Sequence, residues 1–286
     1  MRSLLVRLLT ILFLALPVSA LAKPGLWVAH SGASTLYLFG TVHLLPGHTD
    51  WRYPALDKAL ADSGTLYIEI TDDNPLSVQV LVLKYGIDWQ NTLSSQLDPG
   101  DQARLQHVSA EAGLSLATLE HMRPWLAGLT LTMAPLLKAG LDPKQGVDKQ
   151  LKAQFEAAGK PVKGLETSEQ QIRFFADMPP KLQLKFLHGA LKDYGKVRKE
   201  LATLVGYWDA GDVAAIARTA DLKMRRQSPA LYRLLITERN HRWAAQLKKI
   251  LATPGTYFVA VGTAHLAGPD SVQKQLEKLG IKVDRL

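Results

Sequence analysis

One short pattern occurs twice in this chain, once near each end. Residues 36–39 and residues 258–261 are apolar runs, and each is followed directly by Gly-Thr-x-His-Leu. An apolar run that contains aromatic or β-branched residues and ends in glycine is typical of a strand followed by a sharp turn. Two such strands, far apart in the chain, predict one sheet that is assembled from both ends of the protein.

The segment between the two copies has mainly helical periodicity. Its apolar residues recur at spacings of three and four, for example at Leu126, Leu129 and Met133. We predict strands at residues 35–39, 65–70, 161–165, 256–261 and 281–284, with helices at residues 54–62, 147–158 and 270–279 and over most of residues 168–251. The expected fold class is mixed α/β (α+β), with a central sheet formed by N- and C-terminal strands and a large inserted helical subdomain over about residues 76–251. No Ser-, Pro- or Gly-rich linker divides the chain, which predicts a single domain over residues 23–286.

The composition excludes several kinds of site. The 286 residues include no cysteine, and disulfides, thiolate metal sites, iron–sulfur clusters and thiol nucleophiles all require one. Any metal must therefore be held by His and carboxylate side chains. The formal net charge of +8 is spread thinly, without a basic stripe interleaved with aromatic residues, so no nucleic-acid partner is expected.

The first 22 residues are typical of a secretory signal peptide. The start is basic, residues 8–16 are apolar, and the small residues Ala20 and Ala22 predict cleavage after Ala22. The alternative, an uncleaved membrane anchor, is disfavoured because the apolar run is short and Pro17 interrupts it. We expect a periplasmic or secreted protein that has no lipobox cysteine and no transmembrane segment after cleavage, and the sequence leaves its oligomeric state open.

Three residues on or after predicted strands carry the chemistry. His43 and His265 belong to the two copies of the repeated pattern, and Glu69 lies on the apolar strand between them. An ionised carboxylate on such a strand is costly unless it is paired or coordinated. Because ligands bind at the carboxyl edge of open α/β sheets, we expect the three side chains to converge there.

Two imidazoles and a carboxylate suit two kinds of chemistry. They can hold a divalent metal ion and leave positions open for water, as catalytic zinc sites do. They can also work without metal, with a histidine as the general base for water and Glu69 as its orienting partner. The residues alone leave both mechanisms open.

The order of these motifs resembles that of the TraB/PrgY/GumN family. The resemblance rests on the paired Gly-x-x-His motifs, on Glu69, and on further short matches that run in order over nearly the whole chain after residue 22. These matches are Met122-Arg123-Pro124-Trp125, Gly146-Val147-Asp148, Gly159-Lys160-Pro161, Leu165-Glu166-Thr167, Glu238-Arg239-Asn240 and Trp243. The family is related to the Tiki metalloproteases and, more distantly, to the erythromycin esterase and ChaN-like groups.

This resemblance implies a mixed α/β core and an exported hydrolase, in the first place a metal-dependent peptidase. It implies that His43 and His265 are ligands of a divalent metal (Zn, Mn or Co) and that Glu69 is a third ligand or the general base. The partner is then a peptide or another small-molecule substrate.

Several roles stay open at this point. Arg239 and Asn240 lie on a predicted helix, where they can stabilise an oxyanion or bind a substrate carboxylate, or instead bridge structural elements. Glu166 is a further ligand or the partner of an arginine such as Arg123 or Arg239. Two other functions compete with the peptidase, namely a protein that sequesters a tetrapyrrole or a signalling peptide in the same cleft, and a metal-free esterase-like hydrolase.

Overall fold

The computed structural model describes residues 23–45 and 49–286, and the predicted signal peptide lies outside them. Within the described residues, one mixed sheet contains six strands. They are β1 (Leu26–Ser31), β2 (Ser34–Thr41), β3 (Thr65–Ile68), β4 (Val162–Gly164), β5 (Gly255–Gly262) and β6 (Val283–Arg285). Their order across the sheet is β4-β3-β5-β2-β1-β6.

The two copies of the repeated pattern lie side by side at the centre of this sheet. β2 and β5 pair in parallel, with Leu38 opposite Val259 and Gly40 opposite Val261. β3 and β4 continue the parallel part beyond β5, whereas β1 pairs antiparallel with β2 and β6. The predicted mixed α/β class is confirmed, and so is the assembly of one sheet from both ends of the chain. The carboxyl ends of the parallel strands share one edge.

Helices fill most of the remaining chain. The α-helices are α1 (Pro54–Asp62), α2 (Pro75–Gly86), α3 (Pro99–Ala112), α4 (Leu116–Glu120), α5 (Pro124–Lys138), α6 (Val147–Ala157), α7 (Ser168–Ala176), α8 (Pro180–Asp193), α9 (Val197–Asp209), α10 (Val213–Ile216), α11 (Leu222–Gln227), α12 (Pro229–Tyr232), α13 (Glu238–Ile250) and α14 (Val272–Lys278). Two π-helical turns, Ala217–Asp221 and Arg233–Thr237, precede α11 and α13, and a 3₁₀ turn, Thr263–Leu266, follows β5. Among residues 23–45 and 49–286, no helix has the length and apolar composition needed to cross a membrane.

Helices cover both faces of the sheet with apolar side chains. On one face, Leu60 of α1 and Phe155 of α6 belong to the same buried cluster as Phe39 and Phe258. On the other face, Trp243 of α13 packs with side chains of α14, β2 and β5. A third cluster joins α3, α5 and α8 away from the sheet. Removal of this apolar surface from water is the main force that holds the helices on the sheet.

Two details of the sheet differ from the sequence prediction. β3 ends at Ile68 rather than at residue 70, so Glu69 lies just beyond the strand. The prediction contains no strand at Leu26–Ser31, where the structure has β1. β1 is paired on both sides, and strand formation depends more on such pairing than on local periodicity.

Gly40 marks the close approach of the two repeated turns. A Cβ atom at this position would lie 2.9 Å from Thr263 Oγ1 and 3.2 Å from Thr263 Cα. We expect Gly40→Ala to lower the free energy of unfolding by about 1–3 kcal/mol, because the backbone at Thr263 cannot yield without disturbing β5. Urea denaturation measures this difference.

The matched control is Gly189→Ala in α8, where a Cβ atom would meet nothing within 4 Å. This substitution should be neutral or stabilise the protein by up to about 1 kcal/mol, because alanine has the higher helix propensity. Equal effects of the two substitutions would contradict tight packing between the repeated turns.

Candidate functional site

The expected convergence of side chains occurs at the carboxyl edge of the sheet, around Gly262. A Cβ atom at Gly262 would lie 3.2 Å from Glu69 Oε1, 3.5 Å from His43 Nε2 and 3.7 Å from His265 Cδ2. β3, β2 and β5 end next to one another, so residues just past their ends meet although they are distant in sequence. The structure brings these three side chains together, while their chemical roles stay predictions.

Glu69 is a largely buried carboxylate, 11% exposed, that accepts hydrogen bonds at both of its oxygen atoms. The Gly262 N–H donates to Oε1 at 2.8 Å, and Gln171 Nε2 donates to Oε2 at 3.0 Å. Arg239 Nη2 also donates to Oε2, at 2.6 Å. Burial by itself would raise the pKa of Glu69, but the Arg239 guanidinium above all holds that pKa well below its usual range. Glu69 is therefore ionised at neutral pH.

Arg239 links the elements on both sides of the site. Its Nε and Nη2 donate to the Glu166 carboxylate at 3.1 and 2.8 Å, while Nη1 donates to His265 Nε2 at 3.1 Å. Its guanidinium also lies 5.3 Å from the ring centre of Phe174. Arg239 and Glu166 are buried and direct their polar atoms at each other and at neighbouring residues, so they bridge the elements around the site.

His265 is held in one tautomer. Asn240 Nδ2 donates to two backbone carbonyls, those of Asp270 (2.8 Å) and His265 (3.2 Å), so Asn240 Oδ1 is the acceptor that faces His265 Nδ1 at 2.6 Å. His265 Nδ1 therefore carries the proton, and Nε2 accepts from Arg239. Burial and the nearby Arg239 charge lower the pKa of His265 to about 3. His265 is therefore neutral at any ordinary pH.

His43 has the opposite surroundings. Its side chain is 57% exposed, its Nδ1 lies 3.1 Å from Asp148 Oδ1, and its Nε2 lies 3.8 Å from Glu69 Oε1. Desolvation opposes a charge on the ring, but the hydrogen bond to Asp148 and the charge of Glu69 outweigh it and raise the pKa of His43 to about 9. His43 is thus the exposed titratable side chain of this cluster.

Three site residues were not identified from the sequence. Asp148 orients His43, Gln171 holds Glu69, and Arg242, which is 44% exposed, lies 3.6 Å from the Glu166 carboxylate. Of these three residues, only Asp148 lies in a motif that resembles the family, namely Gly146-Val147-Asp148. Gly146 is required there, since a Cβ atom at that position would lie 2.6 Å from the His43 carbonyl oxygen.

The donor set has the right chemistry for a metal, but two of its donor atoms already accept hydrogen bonds from Arg239. Imidazole and carboxylate are zinc ligands, yet Arg239 already donates to His265 Nε2 and to Glu69 Oε2. A divalent cation would have to displace a guanidinium of the same sign of charge. Within the part of the chain that the structure describes, no three His, Cys, Asp or Glu side chains are grouped to hold a metal ion.

Comparisons with known proteins show the family to which this chain belongs. The sequence profile of the TraB/PrgY/gumN family matches residues 25–285. The uncharacterized protein YbaP of Escherichia coli (strain K12) is 27% identical over 258 residues, which covers 88% of this chain and 92% of that protein. YbaP of Shigella flexneri matches with the same identity and coverage. No solved structure matches the chain significantly.

Arg239 neutralises two buried carboxylates, so its removal should be costly. We expect Arg239→Met to lower the free energy of unfolding by about 3–5 kcal/mol, because Glu69 and Glu166 stay buried without their main counter-charge. Urea denaturation measures the loss. The control is Arg233→Met, since Arg233 is 70% exposed and pairs with Glu238 at the surface. If both variants lost the same stability, the buried network would not carry the stabilisation assigned to it.

Asp148 should control the basicity of His43. In Asp148→Asn, we expect the pKa of His43 to fall from about 9, because the hydrogen-bonded negative charge is lost. NMR titration of the histidine ring protons, on chelator-treated protein, measures it. Glu111→Gln, which removes the partner of the exposed His107, is the control and should leave the His43 titration unchanged. A His43 pKa that does not respond to Asp148→Asn would remove Asp148 from the site.

Proposed function

Because the chain belongs to the TraB/PrgY/gumN family and places an exposed imidazole beside a buried carboxylate, we propose that it is a hydrolase that activates water at His43 and Glu69. The observation that carries the proposal is the 3.8 Å separation of His43 Nε2 and Glu69 Oε1 at an accessible sheet edge. A water molecule that contacts His43 Nε2 is also within reach of Glu69.

The surrounding residues support proton transfer by His43. Its Nδ1 proton is held by Asp148, which leaves Nε2 as the atom that removes a proton from water. The imidazolium that forms is stabilised by the charges of Asp148 and Glu69. Arg239 keeps Glu69 ionised and in place, so Arg239 acts as a positioning residue rather than as a direct donor to substrate.

We propose a peptide, or another substrate with an activated carbonyl group, as the reactant. The peptide class comes from the family's relation to the Tiki metalloproteases. A cavity of about 410 Å³, lined in part by Phe174, Met178 and Leu182, supports a substrate with an apolar group. Phe174 lines this cavity and also stacks on Arg239 and Arg242, so the cavity and the site share a wall.

The metal-dependent form of the same hydrolase remains the competing proposal. It uses His43, His265 and Glu69 as ligands of Zn, Mn or Co, and the convergence of all three side chains on Gly262 favours it. It requires Arg239 to release His265 Nε2 and Glu69 Oε2 before the ion binds. Measurement of the metal content of the purified protein separates the two forms.

The first experiment compares hydrolysis of a peptide library and of p-nitrophenyl esters by the parent protein and by His43→Ala. We expect a loss of roughly 10²–10⁴-fold, which is what removal of a general base costs. The parent rate should rise with pH through the His43 pKa of about 9 and level off above it, because only the neutral imidazole accepts a proton. His107→Ala is the control, since His107 is 80% exposed and belongs to a separate surface pair.

The outcomes discriminate between the remaining functions. Activity that resists chelators and depends on His43 supports the metal-free form, whereas about one metal ion per chain that is lost in His43→Ala/His265→Ala supports the metal-dependent form. Full activity in His43→Ala would overturn both. No hydrolysis, together with a spectral change on haem titration or retention of a peptide, would establish a sequestering protein instead. In each case we propose a periplasmic or secreted location after cleavage of residues 1–22.

A further inference from the structure

Two acidic residues, Asp221 and Asp270, lie outside the site described above, and Asp270 is connected to His265 through Asn240. Asp221 ends the π-helical turn Ala217–Asp221 and is fully buried, and Asp270 lies in the loop between the 3₁₀ turn and α14. Asp270 Oδ2 accepts a hydrogen bond from the Tyr232 hydroxyl at 3.0 Å. Burial and then the charge of Asp270 raise the pKa of Asp221 to about 8. Independently of the pKa, a Cβ atom on Gly268, two residues before Asp270, would lie 3.1 Å from Asp221 Oδ2, so Asp221 packs against the loop that carries Asp270.

Among the residues that the structure describes, Asp221 has no hydrogen-bond partner. Neither of its carboxylate oxygens accepts a hydrogen bond from residues 23–45 or 49–286. Its Oδ2 faces the backbone of Gly268, where a Cβ atom would lie only 3.1 Å away. Gln273 Oε1, at the start of α14, is a second buried acceptor without a partner within the described residues. Since buried polar atoms are paired as a rule, an orphaned carboxylate indicates a bound ligand or a bound proton.

We propose that Asp221 and Asp270 bind a hard divalent cation, Ca²⁺ or Mg²⁺, on the inner side of the turn that carries His265. The two carboxyl groups offer only oxygen donors, and oxygen donors select these two ions over Zn²⁺. A bound cation removes the repulsion between the carboxylates and supplies the missing partner of Asp221. This proposal is independent of the hydrolase activity.

The cation has a structural consequence for the neighbouring site. Asn240 Nδ2 donates to the carbonyl oxygens of Asp270 and His265, so the acidic pair and His265 are connected through one side chain. A cation that holds Asp270 also holds the turn from which His265 projects. The ion therefore stabilises the position of His265 and does not contact the substrate.

The test uses the thermal midpoint of the purified, chelator-dialysed protein, measured with CaCl₂, MgCl₂ or ZnCl₂ at constant ionic strength set by KCl. We expect Ca²⁺ or Mg²⁺ at a hundred times its Kd to raise Tm by about 5–10 °C, because the ion binds the folded state alone. Equilibrium dialysis should find about one ion per chain. The Tm response to the two ions identifies which of them the site prefers.

Asp221→Asn should abolish both the Tm shift and the bound ion. The variant should fold, because it replaces an unpartnered carboxyl group with a neutral group of the same shape. Asp62→Asn, which removes a surface partner of Lys58, is the control and should keep the full response. A response that survives Asp221→Asn overturns the proposal. So does the absence of any ion response in the parent, and Asp221 would then be a carboxyl group that stays protonated.

Discussion

The contacts of one guanidinium with two buried carboxylates hold this site together. Arg239 comes from α13, Glu69 from the end of β3, and Glu166 from just after β4. A buried carboxylate without a counter-charge costs several kcal/mol, so none of these three segments can adopt its final position alone. Apolar side chains such as Trp243 drive the packing of α13 on the sheet. The same packing brings Arg239 into contact with both carboxylates.

The same network makes the two histidines of the repeated pattern different. His265 faces a cation and an amide, is buried and stays neutral, whereas His43 faces two carboxylates and is largely exposed. Identical local motifs therefore produce one ring that is held as a neutral acceptor and one ring that can exchange a proton with solvent. An accessible proton-transfer group next to a fixed negative charge is what a water-activating site requires.

Much of the sheet could be predicted from the sequence, because the strands of its centre are apolar runs that end in glycine or a polar residue. β2, β3 and β5 were predicted in this way. β1 was missed because its strand character depends on partners on both sides. Asp148 and Gln171 were missed as site residues for a related reason. A polar side chain on a helix has no periodic signature, and only its position relative to His43 or Glu69 gives it a role.

The sequence by itself determined the fold class, the family, and the three side chains that meet at the edge of the sheet. These follow from local patterns, namely hydrophobic periodicity and a repeated strand-turn-histidine motif, which are encoded over a few consecutive residues. Only the tertiary structure decided the charge states and partners of those side chains. A pKa depends on groups within a few ångströms, and here those groups come from segments as distant as residues 69, 148, 166 and 239. Arg239 between Glu69 and His265 is the clearest case, because no local pattern placed it there.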